Sequence, residues 1–141
     1  MDNSTRNILV AGVGGQGVIL ASDIMCDVFM EAGYDVKKSE IHGMAMRGGI
    51  VTSHFRFGTK VYSPLIKEGE VDILFAFEQL EGLRWLNHLR PNGKIIMNDH
   101  RINPPAVTAR DMAMYIMVLL AFFTRGSRIT GRPLETASSP V

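Results

Sequence analysis

Cysteine is nearly missing from this chain: Cys26 is the only one in 141 residues. A single thiol closes no disulfide within the chain and cannot supply the four ligands of an iron–sulfur cluster. A reducing cytoplasm is the compartment expected for such usage. Surplus charge is missing too, since 15 basic residues face 14 acidic ones for a net charge of +1. A reader of nucleic-acid backbones needs a basic surplus, so nucleic acid is not an expected partner. Long apolar runs are also lacking. The longest, Met112 to Phe123, holds twelve residues, whereas a bilayer span takes about 20, so no membrane is expected. The start, Met1 to Arg6, is polar and has no signal-peptide core behind it, and secretion is not expected. His54, His88 and His100 have no metal-ligand spacing, so no metal site is expected.

What is present is enough apolar residue, 46% against 21% charged, to build a packed core, at a length typical of one domain. Asn7 to Ala11 is a short apolar run ended by Gly12, as in a central strand covered on both faces. After Gly12 to Gly17, the spacing predicts a helix over Val18 to Ala32, with Val18, Ala21, Met25 and Val28 recurring at helical period, as do Leu20, Ile24 and Val28. Gly33 supplies its stop. Asp23, Asp27 and Glu31 fall four apart on the opposite face and read first as a solvated surface. Asp35 to Glu40 is expected as a second strand completing a right-handed strand–helix–strand unit.

Val51 to Phe57 alternates in polarity, and Gly58-Thr59 followed by Lys60 to Ser63 predicts an antiparallel hairpin. Val71 to Phe77 reads as another buried strand, and Leu80, Leu83, Leu86 and Leu89 as a following helix. Pro91-Asn92-Gly93 turns into a strand over Lys94 to Asn98. The expected fold is α/β: a Rossmann-like, three-layer arrangement with a mostly parallel sheet and one inserted antiparallel hairpin. Residues 1–110 would form that domain. Residues 111–141, where the texture changes, would form an atypical and partly disordered C-terminal segment.

Gly12, Gly14 and Gly17 fit the G-x-G-x-x-G spacing between a strand and a helix. There, glycines allow a tight turn and let backbone amides and the helix dipole meet a phosphate. A glycine turn can also serve packing alone. A nicotinamide or flavin site would further need an acidic residue about 20 positions on. Glu40 is placed for that, although Lys37 and Lys38 precede it.

Gly12-Val13-Gly14-Gly15-Gln16-Gly17 together with His42-Gly43-Met44-Ala45-Met46-Arg47-Gly48-Gly49 resembles the two hallmarks of the gamma-type domain of 2-oxoacid:ferredoxin oxidoreductases, G-x-G-G-Q-G and H-G-M-x-x-R-G-G. Val61 to Ile66, Phe77 to Arg84 and Asn103 to Pro105 are further similar to the small (beta) subunit of the indolepyruvate type. The match covers about residues 7 to 107. After about Ala109 the final strand and helix of such a domain are not evident.

The resemblance implies oxidative decarboxylation of a 2-oxoacid to an acyl-coenzyme A with ferredoxin as acceptor. Thiamine diphosphate, Mg²⁺ and [4Fe-4S] clusters carry that chemistry. This chain has neither the cysteines nor a G-D-G…N-N stretch, so a large partner subunit is expected to hold all three and to meet ferredoxin. For this chain the resemblance implies coenzyme A binding, with Gly12, Gly14, Gly15, Gln16 and Gly17 as the pyrophosphate cradle. His42 and Arg47 match polar positions of the second motif, where Arg47 suits a phosphate or carboxylate and both residues suit equally the satisfaction of loop carbonyls. No catalytic residue is assigned. Self-association of the isolated chain is expected from its apolar side chains. Two alternatives stay open: a small nicotinamide- or flavin-binding oxidoreductase, and a structural subunit without ligand.

Overall fold

The computed structural model describes residues 5–43 and 48–102; the segment 111–141 and its apolar run lie outside the described residues. Five strands form one sheet: β1 (Arg6–Val13), β2 (Asp35–His42), β3 (Ile50–Gly58), β4 (Val71–Ala76) and β5 (Leu89–Met97), in spatial order β2-β3-β1-β4-β5. Helix α1 (Val18–Glu31) covers one face, while α2 (Gln79–Arg84) and a 3₁₀ turn (Leu86–His88) cover the other. The three α/β layers follow the sequence expectation.

Alternation along β1 divides the core. Leu9 and Ala11 point to the α2 side, where they meet Leu74, Leu86 and Ile95. Ile8 and Val10 point to the α1 side with Val18, Val51 and Phe55, and Phe29 stacks there against Phe55 and Phe57. A strand buried on both faces reads as a continuous apolar run, which is what Ile8 to Ala11 is.

The sheet is mixed: β1, β2, β4 and β5 run one way and β3 alone runs against them. β1 pairs with β4, and β4 with β5, in parallel, but β3 is antiparallel to both β1 and β2. Val51 to Phe57 is a strand as expected, yet its partner is not Lys60 to Ser63. Asp35 faces Gly58 and His42 faces Val51, so β2 and β3 make the antiparallel pair. Side chains hold the 60–65 stretch instead. Asp35 Oδ2 accepts the Val61 amide at 2.9 Å, and Arg56 Nη1 donates to the Ser63 and Leu65 carbonyls, each at 3.0 Å. β2 therefore runs the same way as β1, one strand removed.

Two helical readings also change. The outer side of α1 carries Leu20, Ile24 and Val28, exposed by 64%, 54% and 56%. Val18, Ser22, Met25, Cys26 and Phe29 face inward. The leucines at 80, 83, 86 and 89 are split between α2, the 3₁₀ turn and the first residue of β5. Their three-residue spacing suits the 3.0-residue turn of a 3₁₀ helix better than an α-helix. Gly82, whose added Cβ would sit 2.8 Å from Met97 Sδ, lets α2 press onto the sheet.

Candidate functional site

The end of β1 runs directly into the glycine loop. Gly12 is still a strand residue, buried opposite Val51, and a Cβ there would stand 2.7 Å from Val18 Cγ2 and 2.9 Å from Phe77 Cβ. Glycine is required at this position by close packing of strand against helix. Gly15 and Gly17 are different: both are exposed, both have positive φ (99° and 81°), and neither has an atom within 4 Å of a would-be Cβ. They shape the turn and leave its outer surface open.

Gly17 occupies the N-cap of α1 in the left-handed region, with no side chain capping it. The first helical bond runs from the Ala21 amide to the Gly17 carbonyl at 2.9 Å. The amides of Val18, Ile19 and Leu20 precede that bond, and a helix start leaves such donors for an outside acceptor. Gln16 turns inward through its carbonyl, whose Oε1 accepts the Val13 amide at 2.8 Å. Only its Nε2 hydrogens remain to be offered outward.

The second motif braces the first. Gly14 donates its amide to the Gly49 carbonyl at 2.8 Å, and the Gly48 amide returns to the Gly14 carbonyl at 3.4 Å. His42 lies exposed at the end of β2 in register with Val51, which faces Gly12 on β1. His42 and Gly12 therefore share one rung, two strand spacings or roughly 10 Å apart. Arg47 lies outside the described residues.

Glu40, the candidate ribose acid, is ion-paired to Lys38, which also binds Asp23 on α1. Its carboxylate is committed to tying β2 to α1. Three buried carboxylates, Asp72, Glu78 and Glu81, are given no role by the sequence reading. Glu78 caps α2 by accepting the Glu81 amide at 2.9 Å and accepts the Ile102 amide at 2.9 Å through its other oxygen. Burial pushes the Glu81 carboxyl above the ordinary range, with Arg84 pulling the other way. An acid at the N-cap position before a leucine-periodic helix was the available signal for Glu78.

The model of the pyruvate ferredoxin/flavodoxin oxidoreductase family matches residues 7–135. This chain belongs to that family. The indolepyruvate oxidoreductase subunit IorB of Archaeoglobus fulgidus is 48% identical over 103 residues, 73% of this chain and 51% of that protein. The chain thus spans about half the length of the curated relatives it matches. Among solved structures, the keto/oxoacid ferredoxin oxidoreductase gamma subunit of Geobacter sulfurreducens is 26% identical, with a TM-score of 0.53, covering 66% of this chain and 50% of that one. The 2-oxoglutarate:ferredoxin oxidoreductase of Magnetococcus marinus, solved with 2-oxoglutarate, coenzyme A and succinyl-CoA bound, shares the fold at 20% identity and a TM-score of 0.62, covering 77% of this chain and 19% of that one. The family match continues past Ala109, where the motifs of the resemblance stop.

Proposed function

We propose that this chain is the small subunit of a 2-oxoacid:ferredoxin oxidoreductase acting on indolepyruvate or a related arylpyruvate, and that it binds coenzyme A at the glycine loop. The observation that carries the ligand reading is the open turn Gly15 to Gly17 ahead of an uncapped helix, clamped from behind by Gly48 and Gly49. Such a turn presents backbone amides and the positive end of a helix dipole to a pyrophosphate. Gln16 Nε2 adds a neutral donor, His42 lies exposed at the end of β2, and Arg47 is assigned to the same site from the second motif alone. Family membership and the IorB relatives support the reaction class.

The chain's one cysteine cannot ligate a four-cysteine cluster, and we assign thiamine diphosphate, Mg²⁺ and the iron–sulfur clusters to a large cytoplasmic partner that also meets ferredoxin. When bound there, those groups carry the decarboxylation and the electron transfer. This chain's part is to hold the acyl acceptor. Among the described residues no helix is long and apolar enough to cross a membrane. The exposed stripe Leu20–Ile24–Val28 supports docking against the large subunit, and self-association in its absence. The alternative nicotinamide reading is disfavoured by the Lys38 ion pair that occupies Glu40.

Calorimetric titration of the reconstituted complex with coenzyme A, comparing the native chain with Gly14→Val, tests the ligand reading. Affinity is expected to fall at least tenfold, and unchanged affinity would sink it.

A further inference from the structure

Among the described residues β2 (Asp35–His42) ends the sheet order, with β3 on one side and no strand on the other. The Gly43 amide donates to the Ile50 carbonyl at 3.0 Å, in step with the β2–β3 register. Backbone groups along an antiparallel strand turn to alternate sides, so Lys37, Ser39 and Ile41 turn theirs to β3. The N–H and C=O groups of Val36, Lys38, Glu40 and His42 turn outward, and among the described residues no backbone group is bonded to them.

An open edge of this kind invites pairing unless proline, a bulge or free lysine blunts it. β2 has none of these. Its eight residues hold no proline and keep an unbroken register with β3. Both of its lysines are committed: Lys37 Nζ is 2.6 Å from Asp35 Oδ1, and Lys38 is ion-paired to Asp23 and Glu40. With Asp35 and Glu40 set against them, the strand carries no net charge.

We infer that a second copy of this chain pairs with this edge, β2 against β2 about a two-fold axis, so that two five-stranded sheets run on as one. Bonded pairs form only between residues whose groups turn outward, so the axis passes through a residue and not between two. With the axis at Ser39, Lys38 faces the partner's Glu40, and Val36 faces the partner's His42. Every outward N–H and C=O then has an acceptor or donor. One allowed step either way sets Lys38 against its own copy or Glu40 against its own copy, and like charges directly opposite are unfavourable. The charges of the strand therefore select the Ser39 register.

Apolar side chains border the edge on both faces. Asp23 reaches Lys38 from α1, which places Ile19, one turn before, and Met30, two turns after, on the side of the helix toward β2. Both are exposed. On the other face, which β2 shares through Thr52 with Ala11, Ile41 is exposed too. Pairing brings the two α1 helices alongside each other and takes these groups out of water. That side of α1 is not the Leu20–Ile24–Val28 stripe, so a large subunit and a second copy have separate surfaces.

Disulfide cross-linking of the full chain tests the register, in a Cys26→Ala background that removes the native thiol. Directly opposite residues have Cβ atoms about 4.5–5.5 Å apart, close to what a disulfide requires. Ser39→Cys, oxidised with diamide, is expected to give at least tenfold more covalent dimer than Lys37→Cys or Ile41→Cys. Residue 37 faces residue 41 of the other chain and lies ~13 Å from its own copy, so those two variants are expected to cross-link only when mixed. Melting temperatures recorded in parallel identify any variant that fails to fold. No covalent dimer from folded Ser39→Cys, or equal yields from all three single variants, overturns the inference. Cross-linking of Ser39→Cys to the large subunit in place of a second copy, in the assembled complex, overturns it as well.

Discussion

The amide of Gly14 lies 2.8 Å from the carbonyl of Gly49, thirty-five residues on, so the two glycine motifs form one backbone unit. Antiparallel pairing of β1 with β3 brings this about: Val13 faces Ile50, and the loops on either side of that last rung must meet. The glycine-loop end of the molecule is thus hydrogen-bonded behind and open in front, and its glycines are not equivalent.

Gly12→Ala is expected to lower stability by about 1–3 kcal/mol through overpacking. The new Cβ would meet Val18, Gln16 and Phe77, all closer than 3.0 Å. Gly15→Ala meets no atom and carries only the strain of its φ of 99°, about 1–2 kcal/mol. Urea unfolding of the two variants checks the order. A larger loss for Gly15→Ala would contradict the assignment of Gly12 as the packing glycine.

Arg56→Lys is expected to cost about 1–2 kcal/mol despite keeping the charge. Arg56 Nε donates to Asn7 Oδ1 at 2.8 Å, while Nη1 donates to two carbonyls of the 60–65 stretch. A single ammonium cannot span all three acceptors. Limited proteolysis should show faster cleavage within residues 59–66 in the variant, and an unchanged pattern would count against the strut.

Arg56 also shows where sequence reading ran out. Local period and punctuation made β1, α1, β3 and β4 legible, because a doubly buried strand and an amphipathic helix leave patterns within a few residues. What β3 pairs with depends on contacts with β1 and β2, well upstream in the chain, and the two-residue turn at Gly58-Thr59 suggested a hairpin. The tertiary bonds of Asp35 and Arg56 prevent it. The candidate site was legible as a pair of motifs, but their hydrogen bonding and the different duties of Gly12 and Gly15 were not. Buried Asp72 left one trace, an acid inside the apolar strand β4.

His54 makes stability depend on pH. Its ring is buried, and Nδ1 accepts the Ile66 amide at 3.2 Å. Burial first, and His88 second, hold it below the ordinary histidine value. In the unfolded chain it takes a proton near pH 6.5, before it does so in the folded one. Its contribution is therefore fully present above about pH 6.5 and is lost as pH falls from there through the depressed folded value. Melting temperature should drop from pH 7 toward pH 5, and His54→Gln, which keeps an acceptor but does not titrate, should flatten that part of the profile. An equally steep profile in the variant would assign the dependence elsewhere.

The last prediction concerns the outer side of α1, where exposed Leu20, Ile24 and Val28 run beside Asp27 and Glu31. An apolar stripe on the surface contributes nothing to the fold it sits on, so Ile24→Lys should change unfolding free energy by no more than about 0.5 kcal/mol. If the stripe is buried against the large subunit, the same change places an ammonium in an apolar contact and should weaken assembly by tenfold or more. The partner surface is expected to carry apolar side chains bordered by lysine or arginine, and Asp27→Lys should weaken assembly as well, more strongly at low salt than at high salt. Co-purification of the tagged large subunit with native, Ile24→Lys and Asp27→Lys chains, with melting temperatures recorded in parallel, measures both effects. Full retention of assembly by Ile24→Lys would show that the large subunit docks on another face of the sheet.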